Sequence, residues 1–203
     1  MKKNLTPSAE ANGIVLSEVS KTFADTAVLD HFSLTVAPTG VTVLMGASGS
    51  GKTTICSLLL GLTEPDAGEI VNPYKQISCA FQDPRLLPWL SAEENVMLVL
   101  SGLPKAEKRK CAREMLTSLG LSDALKKRPS QLSGGMQQRV SLARAFVSPH
   151  DFLILDEPFR GLDEDNKAVV TEMIRTLAES CPILLITHDK SDADALSAVV
   201  VTL

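Results

Sequence analysis

At 203 residues the chain can bury one sizeable core, either as a single domain or as a domain with a subsidiary lobe. Its 44% hydrophobic, 22% charged and 4% aromatic content is that of an ordinary globular protein, and a net charge of −4 excludes an overall field suited to nucleic acid. Residues 1–12 contain Lys2 and Lys3 but no following apolar run, which argues against a signal peptide, and the uncharged apolar stretches 54–63 and 95–103 fall well short of the ~18 residues that span a bilayer.

In chain order, residues 1–12 are polar and expected to be a flexible N-terminus. Residues 14–23 alternate loosely and are rich in β-branched side chains, which predicts a strand, as do residues 32–36. Pro38, Thr39 and Gly40 mark a turn before a continuous apolar run at 41–45, the pattern of a buried parallel strand. A glycine-rich loop follows, then a helix over 53–60 closed by Gly61, and a short strand at 77–81. Ser91 with Glu94 is a capping box at a helix start, and 104–119 reads as a helix with a strongly charged face, ended by Gly120. The block 91–138 therefore looks all-helical. Alternation returns with a strand at 152–155, a helix at 164–179 and strands at 183–187 and 198–201, which predicts an α/β fold with a mainly parallel sheet and a helical insert. The four cysteines Cys56, Cys79, Cys111 and Cys181 form no CxxC pair and read as buried small hydrophobes in a reducing compartment.

The most specific local motif is GASGSGKT at residues 46–53, which fits G-x-x-x-x-G-K-[ST] between a buried strand and a helix. Gly46, Ala47, Ser48, Gly49, Ser50 and Gly51 can turn successive backbone N–H groups inward on phosphates, aided by the helix N-terminus with Thr54. Lys52 would meet the β- and γ-phosphates, and Thr53 would offer its hydroxyl to Mg²⁺. At the end of the strand 152–155 stand Asp156 and Glu157, where ligands bind in open α/β sheets. Adjacent acids diverge, so Asp156 would hold Mg²⁺ and Glu157 would polarise the attacking water. Alone this pair could be a helix cap or solvated acids; beside the phosphate loop it reads as its acidic partner. ATP and Mg²⁺ are the cofactors so implied.

Leu132-Ser133-Gly134-Gly135 opens a predicted helix over 136–147, a second phosphate-facing helix start. One domain does not need two such surfaces for one nucleotide, which suggests a head-to-tail homodimer formed on ATP binding. With Gln137, Gln138 and Arg139 after it and the LILDEP strand beyond, this segment resembles the signature of the ABC-family ATPases. In the same order, Gln82 resembles the Q-loop glutamine, Gly161-Leu162-Asp163 the D-loop, Thr187-His188-Asp189 the switch-histidine loop, and Phe23 the adenine-stacking aromatic. The resemblance covers residues 13–203. It implies a P-loop NTPase core, an antiparallel β lobe at about 13–40 and 68–81, and a helical lobe at about 91–147.

By that resemblance Glu157, His188 and Gln82 would be catalytic, with Gln82 also in the Mg²⁺ shell. Ser133, Gly134 and Gly135 would contact the γ-phosphate across a dimer, with Asp163 at its interface. A lone histidine at a strand end is more often structural, a Phe on a strand is usually core, and acidic loop residues are common, so His188, Phe23 and Asp163 rest on context. His31 and His150 have none and read as surface residues. Arg160 departs from the family pattern, where that position is more often small, and the stretch 68–82 is short for the family's β lobe. Asp83-Pro84-Arg85-Leu86-Leu87-Pro88-Trp89-Leu90 resembles the nitrate/sulfonate/taurine group of bacterial importers.

The resemblance thus implies an ATP-hydrolysing transporter subunit, peripheral on the cytoplasmic side of the inner membrane. Its partners would be integral membrane permease subunits and, indirectly, a substrate-binding protein, with no nucleic acid. The rivals are a non-transport ABC ATPase, a small-molecule P-loop kinase and a nucleotide-gated scaffold. The kinase reading leaves the Ser-Gly-Gly segment unexplained.

Overall fold

The computed structural model describes residues 13–47 and 49–203; the predicted flexible N-terminus and Ser48 lie outside the described residues. In chain order the elements are β1 (Ile14–Phe23), β2 (Thr26–Val36), β3 (Gly40–Met45), α1 (Lys52–Leu59), β4 (Ala67–Val71), β5 (Ile77–Ala80), α2 (Ala92–Met97), α3 (Lys105–Ser118), α4 (Gly134–Val147), β6 (Phe152–Asp156), α5 (Glu164–Ala178), β7 (Pro182–Ile186), α6 (Lys190–Ala195) and β8 (Val199–Thr202). Short 3₁₀ turns at Ser122–Ala124 and Pro129–Gln131 join α3 to α4.

Five strands form a parallel sheet in the order β5-β6-β7-β3-β8, and three form an antiparallel sheet in the order β2-β1-β4. Side-chain alternation lets the parallel sheet serve two cores at once. Leu153 and Leu155 of β6, with Ile183 and Leu185 of β7, pack toward α2–α5. Phe152 and Ile154, with Leu184 and Ile186, pack toward α1 and the antiparallel sheet. A strand buried on both faces is apolar on both, which is why FLIL of β6 and PILLI of β7 carry no alternation.

The structure departs from the sequence-based expectation at several places, among them β4 and α6, which carry no expected element, the start of α4 at Gly134 rather than 136, and the two that follow. The family resemblance puts residues 77–80 in the β lobe, yet β5 pairs in parallel with β6, Ile77 opposite Phe152, and so belongs to the core sheet. The lobe consists of β1, β2 and β4. The strand predicted at 32–36 is the second half of β2, which begins at Thr26 after a tight turn through Ala24 and Asp25, both at positive φ. The helical lobe spans α2 to α4. It is stapled by a buried glutamate: Glu93 accepts from Arg109 Nε at 2.8 Å and Arg113 Nε at 2.5 Å. The Ser91–Glu94 capping box forms as expected. Ser78 Oγ donates to Ala145 O at 2.9 Å, tying α4 to β5.

Candidate nucleotide site

β3 ends at Met45 and α1 begins at Lys52, so Gly46, Ala47 and residues 49–51 lie between them at the carboxyl edge of the sheet. Gly51 caps α1 at φ 102, a left-handed conformation that glycine adopts freely. A Cβ there would lie 2.9 Å from Leu29 Cδ2 and 3.0 Å from Val28 O, so β2 buttresses the loop. Lys52 Nζ donates to Gly46 O and Ala47 O, both at 2.7 Å, which folds the ammonium back over the loop. The Ser50 hydroxyl is buried with no hydrogen-bond partner among the described residues. Gly49, Lys52, Thr53 and Thr54 line one cleft with Gln82, Asp156 and Glu157.

β6 delivers Asp156 to that cleft, and burial together with the neighbouring Glu157 charge pushes its carboxyl above the usual aspartate range. The backbone N–H of Gln82 and the Lys52 ammonium oppose that rise. Glu157 then leaves the strand at φ 50, outside the region most side chains prefer. Three contacts hold it there. Its N–H donates to Ile186 O at 2.9 Å, its carbonyl accepts from Gln138 Nε2 at 3.2 Å, and Arg160 N–H closes a turn on it at 3.2 Å. Such strain persists only where the surroundings impose it, and it clusters at functional sites. Glu157 Oε1 meets His188 Nδ1 at 3.0 Å, and this contact raises the histidine pKa from its ordinary value.

A neighbouring cleft of about 610 Å³ is lined by Gly46, Ala47, Lys52, Gln82, Glu157 and His188, with Arg160, Lys167 and Asp192 among its other walls. Phosphate loop, acidic pair, Gln82 and His188 thus converge. Phe23 does not line either cleft. It stands 47% exposed at the end of β1, with Lys21 Nζ 5.4 Å from its ring centroid.

The Ser133–Gly135 segment, the cap and first two residues of α4, lies elsewhere. It lines a separate cleft of about 670 Å³ with Asp83, Pro84, Arg160 and Gly161, and shares Gln82, Arg160 and Gly161 with the cleft holding Lys52 and His188. Ser133 caps α4, its Oγ accepting from Met136 N–H at 3.2 Å. Asp163 caps α5, accepting from Asn166 N–H at 2.9 Å and from Asn166 Nδ2, so within one chain it is a helix cap.

Two arginines of α4 hold the surrounding segments through contacts that the sequence does not mark. Arg144 donates to Pro84 O at 2.8 Å and Arg85 O at 3.1 Å, holding the segment after Gln82. Arg139 donates to Leu119 O at 2.8 Å, anchoring α4 to the end of α3. Burial pushes the Cys79 thiol up to about 12 and Cys56 well above its ordinary value, so both are inert in this core.

Comparison with known proteins agrees with this geometry. The family described as ABC transporter matches residues 29–160. The aliphatic sulfonates import ATP-binding protein SsuB 2 of Pseudomonas syringae pv. syringae is 39% identical, over 98% of this chain and 72% of that protein. SsuB 1 of Streptomyces avermitilis is 38% identical over 94% of this chain and 72% of that protein. Among solved structures, a dimeric post-hydrolysis ATP-binding cassette with ADP and Pi superimposes with a TM-score of 0.85 at 28% identity, covering 94% of each chain. The chain belongs to the ABC transporter family, as an ATP-binding and ATP-hydrolysing subunit.

Proposed function

We propose that two copies of this chain close on two ATP molecules, each held by residues 46–54 of one copy and covered by Ser133, Gly134 and Gly135 of the other. The observation that carries this reading is the separation of the two phosphate-facing helix starts within one chain: α1 and α4 open into different clefts. A copy related head to tail brings the second start onto the first.

In this reading Lys52 and the N–H groups at the start of α1 bind the phosphates. Asp156, Thr53 and Gln82 fit a magnesium ion, because the raised Asp156 carboxyl beside Glu157 is a site where a divalent cation relieves repulsion. Among the described residues no group of three or more His, Cys, Asp and Glu could hold a metal ion, and Asp156, Thr53 and Gln82 would hold magnesium together with the bound phosphates. Bound there, magnesium neutralises charge developing on the phosphates. Glu157 accepts the proton of the attacking water, and His188 fixes the carboxylate and faces the γ-phosphate. Phe23 offers an exposed ring to the adenine, and Asp163 sits at the dimer seam.

The motor then drives an importer of aliphatic sulfonates or related small organic anions, as the names of its relatives suggest. No helix among the described residues is long and apolar enough to cross a membrane, so the coupling runs through integral membrane permease subunits. Exposed Trp89, Leu98 and Leu103 supply an apolar surface for them. A substrate-binding protein acts indirectly from the far side, and this chain lies against the cytoplasmic side of the inner membrane. Replacing Glu157 with Gln tests the core of the reading: ATP binding persists, turnover falls by about 10²-fold or more, and ATP-bound dimers accumulate. Normal hydrolysis by that variant would refute it.

A further inference from the structure

His188 has an exposed side chain and a single described side-chain contact, to Glu157. Its placement therefore depends on the backbone of residues 187–189, and that backbone is held from beneath. The Thr187 hydroxyl, 1% exposed as a residue, accepts from Asp189 N–H at 3.1 Å and donates to Asp192 Oδ2 at 2.7 Å. Asp192 is itself 3% exposed. Its other oxygen forms an ion pair with Lys167 Nζ at 2.6 Å. Lys167 belongs to α5, stands over the Phe159 ring at 5.5 Å, and donates its backbone N–H to Asp163 O at 2.8 Å. The charged groups around its ammonium are Asp192, Asp189 and Glu164.

We propose that Lys167 is a positioning residue for hydrolysis: through Asp192 and Thr187 it locks the loop carrying His188 to the first turn of α5, and so to the Gly161–Asp163 segment. The chain of contacts is continuous, from Asp163 O to Lys167, Asp192, Thr187 and the His188 backbone. A buried carboxylate needs a partner charge, and Lys167 supplies it from an element that begins at the proposed dimer seam. Movement of that seam thereby reaches His188 without passing through the nucleotide. This inference rests on the role given above to His188 and Glu157.

Two variants of the full chain test it. The pair Lys167→Met/Asp192→Asn removes the ion pair without stranding a buried charge, and Thr187→Val cuts the same chain at an isosteric position. Each is expected to unfold in urea within about 1 M of the wild-type midpoint and to bind ATP within about threefold. Each is also expected to show kcat reduced by about tenfold or more, the scale of a misplaced catalytic group. In NMR spectra of the nucleotide-free protein the His188 ring resonances move from their wild-type positions, while those of His31 and His150 stay. Wild-type kcat and unmoved His188 resonances in either variant would overturn the inference, as would equal losses of ATP binding and kcat. His188→Ala serves as the control. If its kcat is normal, the role of His188 fails, whereas the ring resonances of the two variants still report whether Lys167 holds the loop.

Discussion

Gly135 and Gly161 meet through bare backbone: a Cβ on Gly135 would lie 2.4 Å from the Gly161 carbonyl oxygen. The start of α4 and the loop leading to Asp163 therefore move together. Gly135→Ala must push one of them aside and should lower stability by about 1–3 kcal/mol, the usual cost of overpacking. A Cβ on Gly134 would meet nothing within 4 Å, so Gly134→Ala should leave monomer stability unchanged or slightly raised. Urea unfolding of the two variants measures the contrast. Equal stabilities would show that the contact is loose.

The Glu157–His188 contact sets a direction for pH dependence. His188 titrates above its ordinary value because Glu157 accepts from its ring and adds a favourable charge, with Asp189 and Asp192 contributing further. A raised histidine pKa means that the contact stabilises the protein fully below the unfolded-state value, about 6.5, and that this stabilisation is lost as pH rises through the folded value. Glu157→Gln should lower the His188 pKa toward normal. An NMR titration of the His188 ring in both proteins reads this directly; an unchanged midpoint would mean the contact does not persist in solution.

Arg144 is the fixed post behind Gln82. Its guanidinium satisfies the carbonyls of Pro84 and Arg85, and burial holds its pKa below the usual arginine value. Arg144→Met removes both bonds, leaving the Arg85 carbonyl to water and the half-buried Pro84 carbonyl without its donor, and should cost about 1 kcal/mol in urea unfolding. Because those carbonyls follow Gln82 closely in the chain, kcat should fall more than ATP affinity. Loss of ATP affinity alone would contradict that assignment.

Phe23 offers a test that touches binding alone. Its ring is half-exposed and lines neither of the clefts that Glu157 lines, so the role proposed for it lies at the base end of the nucleotide. Phe23→Ala should weaken ATP binding by about fivefold, the equivalent of roughly 1 kcal/mol of stacking, with kcat little changed. Unaltered ATP affinity would return Phe23 to a surface role.

Much of the fold is legible in the sequence because its buried strands are continuous apolar runs and its turns carry glycine. Residues 46–54, Asp156 and Glu157 announce themselves by spacing, and the structure brings Gly46, Ala47, Gly49 and residues 51–54 to the clefts that Asp156, Glu157, Gln82 and His188 line. What stays hidden has a physical reason. A four-residue strand such as Ile77–Ala80 has no signature that tells a parallel core sheet from an antiparallel lobe, so only pairing with Phe152–Leu155 decides. The six-residue α6 is too short for a periodic pattern, although Asp189 and Ser191 form its cap. Lys167 and Arg144 look like ordinary helix-surface cations in the sequence, and Arg139 is legible only as part of the signature segment. Their partners lie 25, 20 and 60 positions away for the pairs Lys167–Asp192, Arg139–Leu119 and Arg144–Pro84, and nothing in the residues themselves marks those pairings. Asp163 is legible as a loop acid, while its capping of α5 through Asn166 emerges only in the folded chain.

The most direct measurement is the structure of the Glu157→Gln protein with ATP and magnesium bound. Two copies should face head to tail, with Ser133 and Gly135 of each within hydrogen-bond distance of the γ-phosphate held by Lys52 of the other. An ATP-loaded protein in which that turn faces solvent, or contacts the nucleotide of its own chain, would contradict the composite site.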